Sequence, residues 1–138
     1  MWRAIVILTL SMVGCIQLPP TAGDIQSKKF ESVPDQAVIY IARPRMDSRN
    51  GGTIVIGNNS LITTFPGTYY RWETAPGTQR IQGYGPYSAS VTVQAEAGKI
   101  YYVLHKVEGG IRSGIQSMHL QQVDERYGRK LVTDAQLL

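Results

Sequence analysis

From Phe30 to Val123 the apolar and polar positions fall into short runs of strand period, broken by turn residues roughly every eight to twelve positions, the spacing of a β-sandwich or barrel. Residues 37–42, Ala-Val-Ile-Tyr-Ile-Ala, form one uninterrupted apolar run and predict the central strand; Arg43-Pro44 ends it, because proline brings no ladder donor. After Asn50-Gly51-Gly52, residues 53–56 and 60–65 read as a hairpin across Gly57-Asn58-Asn59, residues that tolerate positive φ. Pro66-Gly67 and Pro76-Gly77 suit the central positions of type II turns. They bracket a strand over residues 68–74, in which Tyr70 and Trp72 share one face and Tyr69, Arg71 and Glu73 the other.

Residues 79–84 predict a weaker strand centred on Ile81. The clearest alternation lies in residues 88–96, whose apolar members all fall on one face, as in an antiparallel sheet with one wet side. Gly98 turns the chain into residues 100–104, apolar on both faces and therefore central; a glycine turn at Gly109-Gly110 then leads to a last strand around residues 115–123. In the tail, Leu131, Ala135 and Leu138 outline a short amphipathic helix. The expectation is an all-β domain over residues 30–138, a small antiparallel β-sandwich closed by a short C-terminal helix.

Upstream the pattern is different. Arg3 precedes a run from Ala4 to Val13 that contains only two hydroxyls, Thr9 and Ser11, and Gly14 supplies a small residue before Cys15. These are the three zones of a secretory signal, in a run too short for the roughly 20 apolar residues of a membrane span. Met12-Val13-Gly14-Cys15 resembles the lipobox of bacterial lipoproteins, with Met12 where leucine is usual. The resemblance implies that residues 1–14 are a signal peptide, that the Cys15 thiol receives a diacylglycerol, and that the new amino terminus is acylated. Two or three chains, at about 0.8 kcal/mol per buried CH₂, hold a protein on a membrane permanently. Ile16 stands where aspartate would imply inner-membrane retention, so the resemblance implies the outer membrane, facing the periplasm. Residues 15–29, with Pro19, Pro20, Gly23, Lys28 and Lys29, show little apolar periodicity and predict a flexible tether reaching about 45 Å.

Charge and cysteine content narrow the classes. The net charge of +4 falls to +3 when Arg3 leaves with the leader, and acidic and basic residues are interspersed, which speaks against nucleic acid as a partner. Cys15 is the only cysteine; once lipidated, it leaves no thiol for a disulfide, a zinc site or a nucleophile. Stability must then come from packing.

The Tyr-x-x-Arg-Pro end of the first strand, at Tyr40, Arg43 and Pro44, is followed in order by the glycine-punctuated hairpin, the Ala75-Pro76-Gly77 turn and the Ala-Gly-Lys-x-Tyr-Tyr-Val strand from Ala97 to Val103. In these motifs the chain resembles a bacterial lipoprotein family labelled domain of unknown function 2846, across Phe30 to Val123. The resemblance implies a small β-sandwich of the prealbumin-like or immunoglobulin-like sort outside the cytoplasm, and it carries no catalytic residues.

His105 and His119 are the only histidines, both on predicted strands, and nothing in the spacing of Glu108 or Asp124 completes a metal or catalytic set with them. No Gly-x-Ser-x-Gly elbow occurs, and Gly83-Tyr84-Gly85-Pro86 reads as a turn. Neither a metal nor a cofactor is expected. Arg43, Arg45 and Arg49 form the one basic cluster, on the loop after the first strand, suited to anionic lipid headgroups or a partner's carboxylates. Tyr40, Tyr70 and Tyr102 fall on faces expected to be buried. The expected function is non-catalytic: a lipid-anchored envelope protein whose sandwich is a binding or assembly module for an envelope partner. The alternatives are an accessory structural subunit of an envelope complex, marked by an exposed apolar patch or an open edge strand, and, further off, an envelope hydrolase.

Overall fold

The apolar run becomes β1 (Ala37–Ala42), and all six of its residues are buried. A computed structural model describes residues 19–85, 87–110, 112 and 115–138; the leader, Cys15 and Ile16 lie outside the described residues. After α1 (Ala22–Ser27) and β1 come β2 (Gly52–Ile56), β3 (Ser60–Thr64), β4 (Thr68–Thr74), β5 (Gly77–Gly83), β6 (Ser90–Ala95), β7 (Ile100–Gly110) and β8 (Ile115–Val123). The chain ends with α2 (Glu125–Thr133) and β9 (Gln136–Leu137). One sheet has the order β8-β7-β1-β4-β9, the other β3-β2-β5-β6.

The two sheets enclose a core of Ala37, Ile39, Ile41, Ile54, Ile56, Ile81, Val93, Ala95, Val103 and Leu120. The alternate β1 residues, Val38, Tyr40 and Ala42, pack on the other side with Tyr69, Tyr102, Val132 and Ala135. The larger sheet is thus covered twice, by the smaller sheet and by the helices. A strand buried on both faces needs an unbroken apolar run, which is what β1 has. The β4 strand splits accordingly: Tyr70 and Trp72 are half-buried against the inter-sheet core, whereas Tyr69 is fully buried in the helix-side core.

The fold is the expected small β-sandwich, with differences in detail. Most pairings are antiparallel, but β1 runs parallel to β7 and β4 parallel to β9. Parallel neighbours need a long connection, and the chain between β1 and β7 supplies it by building the second sheet on the way. The β2–β3 hairpin forms as expected, with positive φ at Gly57 and Asn59. β7 runs through Gly109 and Gly110 rather than turning there, pairing with β8 to its end. α2 contains Leu131, but Ala135 and Leu138 lie beyond it.

The expectation of a flexible tether over residues 15–29 is corrected from Thr21 onward. The Thr21 hydroxyl accepts from Asp24 N at 3.1 Å and caps α1. Asp24, buried, accepts from Tyr69 Oη at 2.8 Å and from Leu137 N at 3.0 Å, and pairs with Lys28 Nζ at 3.0 Å. Ser27 O accepts from Tyr40 Oη at 2.6 Å. The helix is docked by polar contacts.

Candidate functional site

At one end of the sandwich the loop leaving β1 folds back over the ends of β3 and β7. Arg43 is not a surface cation; it is 1% exposed, and this removes it from the basic cluster expected on that loop. Positions 37, 39 and 41 face the inter-sheet core, and 43 keeps their parity. Its guanidinium donates to Asp47 Oδ2 at 2.9 Å, to Thr64 O at 3.0 Å and to Ser48 O. Asp47 in turn accepts from Ser48 N at 2.7 Å and Val107 N at 3.0 Å. A buried charge must be paired and hydrogen-bonded to be tolerated, and here the pair fixes the turn of the loop.

Behind Arg43 lies His105, fully buried. Thr64 Oγ1 donates to Gly52 O at 3.0 Å, so at 3.0 Å from His105 Nδ1 it accepts, and the ring is held as the Nδ1–H tautomer. His105 Nε2 has no partner among the described residues. Burial, and then the Arg43 charge, lower the His105 pKa to about 4, against a smaller opposite pull from Asp47. The imidazole is neutral and braces the Arg43 network. His119 sits apart and exposed on β8, 3.6 Å from Glu108. Among the described residues no three His, Cys, Asp or Glu side chains gather as a metal site requires.

Arg45 and Arg49 do come together at the surface, where with Met46 and Pro66 they line a shallow depression of about 610 Å³. Arg45 Nε donates to Asp134 O at 2.6 Å, and Arg49 has no ion-pair partner among the described residues. Met46 is 94% exposed and Phe65 49%. A second depression, of about 580 Å³, joins Arg45, Pro66 and Gly67 to Pro19, Pro20 and Thr21, where the described chain begins.

The second surface feature is the outer edge of β3. Thr53 O accepts from Tyr84 N at 2.8 Å, so the backbone groups of Thr53 face β5. Its pairing with Thr63 is therefore of the non-hydrogen-bonded kind, and Thr63 and Leu61 turn N–H and C=O to the open side. Among the described residues nothing pairs there. Ser60–Thr64 contains no charge and no proline, the usual guards of an edge, and Leu61 is more than half exposed. The opposite edge of that sheet is bridged to β8 at one end, just ahead of β6: Ala89 N donates to Met118 O at 3.2 Å and Met118 N to Tyr87 O at 3.1 Å.

No family model matches the chain, and no curated protein matches it. The likeness to domain of unknown function 2846 therefore rests on the motifs alone.

Proposed function

We propose that this protein is a non-catalytic, lipid-anchored binding or assembly module of the bacterial envelope, held through Cys15 at the outer membrane and facing the periplasm. The observation that carries the reading is the open, uncharged edge of β3, which offers an extended segment of an envelope protein a row of free backbone donors and acceptors beside the exposed Leu61. Main-chain pairing supplies affinity in such additions, and the alternate side chains supply selectivity. The lipobox-like leader supports the anchor. The same edge supports a second reading, an accessory structural subunit, which differs only in whether the partner is permanent. A hydrolase would need a histidine beside a carboxylate and a serine in an open site; His105 is buried, and His119, exposed 3.6 Å from Glu108, has no serine hydrogen-bonded to it among the described residues.

The test uses the full chain in native membranes. Palmitate should label the wild type and not Cys15→Ala, and equal labelling overturns the anchor. A photo-crosslinking residue at Leu61 should give one defined protein adduct, with none from Gln94 on β6. Thr63→Pro removes an N–H that faces the open side, at no cost to the β2 ladder. It should abolish the adduct and leave the melting temperature unchanged. Absence of an adduct from Leu61, or its persistence in Thr63→Pro, overturns the module.

A further inference from the structure

We propose that the end of the sandwich bearing the loop of residues 44–49 rests against the bilayer, with Arg45 and Arg49 on lipid phosphates and Met46 in the interfacial layer. The inference rests on the lipid at Cys15 proposed above and adds an orientation and a contact surface. The first observation is length. Because α1 is docked through Asp24 and Ser27, the slack between lipid and domain is not a tether of some fourteen residues. From Cys15 to Pro19 the chain spans at most about 14 Å, whatever path it takes.

The second observation is where that short link joins the body. Pro19, Pro20 and Thr21 share a depression with Arg45, Pro66 and Gly67, and Arg45 and Pro66 also line the adjoining one with Met46 and Arg49. The attachment point and the basic loop therefore occupy the same end of the molecule. The turn at Asn58 and Asn59 lies at the other end, since Gly57 adjoins Trp72 and the depression beside it reaches Thr74 and Ala75.

Composition is the third observation. Guanidiniums match phosphate oxygens, and an exposed apolar side chain among them suits the boundary of headgroup and acyl chain. Met46, almost wholly exposed, lines the same depression as Arg45, Arg49 and Pro66. The three carboxylates of this region do not oppose an anionic surface: Asp47 is turned inward onto Arg43, Asp24 is buried and paired with Lys28 at 3.0 Å, and Asp134 is paired with Lys130 at 2.9 Å. The surface is thus cationic and apolar at the one place that a lipid on Cys15 would hold against a membrane.

The experiment takes purified full-length lipoprotein, its lipid verified by mass, in vesicles of phosphatidylethanolamine and phosphatidylglycerol. With Cys15 blocked, Met46→Cys or Asn58→Cys supplies a single thiol for an environment-sensitive fluorophore, and nitroxide phospholipids serve as quencher. The label at 46 should be blue-shifted and quenched, and the label at 58 neither. Arg45→Gln with Arg49→Gln, or vesicles of phosphatidylcholine alone, should remove most of the quenching at 46. Equal signals from 46 and 58 on lipidated protein overturn the orientation and leave the anchor standing. Quenching at 46 that ignores both arginines and lipid charge overturns the phosphate contact. A mass showing unmodified Cys15 overturns the proposed anchor and this surface with it.

Discussion

Arg43 and His105 set the behaviour of the sandwich interior. His105 takes a proton near pH 4 when folded and near its ordinary 6.5 when unfolded, so between these values the unfolded chain binds more protons. Its contribution is present in full above pH 6.5 and is lost as the pH falls toward 4, amounting to about 3 kcal/mol. Urea denaturation at pH 7 and pH 4.5 should show most of this loss in the wild type. In His105→Leu, weaker at pH 7 because Thr64 loses its partner, the dependence over that interval should largely vanish; an undiminished slope would refute the assignment. Asp24 acts lower on the scale: burial raises its pKa, but bonds from Lys28, Tyr69 and Leu137 N outweigh burial and lower it below 3.8. The sequence makes Arg43 look like a solvated loop cation because Pro44 ends the strand beside it. Parity with residues 37, 39 and 41 is the signal that points inward, and Asp47 four positions on is its partner.

Among the elements, strands were far more legible than helices. β1, β4 and β8 carry the bounds that their runs suggest, since a strand packed on a core must alternate or be apolar throughout. α1 escapes such reading because its buried residues are Asp24 and Ser27; only Thr21 three places before Asp24 marks a cap. The edge status of β3 is equally hidden, for nothing in its pattern says which neighbour is missing. α2 is held at close range by a glycine: a Cβ on Gly128 would overlap the Cβ and ring of Tyr102. Alanine in an ordinary helix interior would gain about 1 kcal/mol over glycine. Here overpacking costs about 2 kcal/mol or more and wins, so Gly128→Ala should lower the melting temperature. A rise would show that α2 stands further from β7 than described.

At the scale of the whole molecule, the first and last elements of the described residues meet. Asp24 binds Leu137 N, and Lys28 Nζ donates to Ala135 O at 2.6 Å. Asp24→Ala strips a buried hydroxyl and an ammonium of their acceptor and should cost about 3 kcal/mol. Trypsin should then cut at Lys28 well before the sandwich unfolds; unchanged cleavage would show that α1 stays docked by other means. The layered architecture was legible in outline, because a run apolar on both faces demands cover on both. What lay outside sequence reasoning was the identity of that cover, which joins residues 113 positions apart. That separation governs timing. The helix that Asp24 anchors has nothing to close upon until Gln136 and Leu137 are in place beside β4, so its docking waits on the far side of the sandwich. With β1 also awaiting β7, contacts of long sequence separation must close together, and the chain stays pliable until they do.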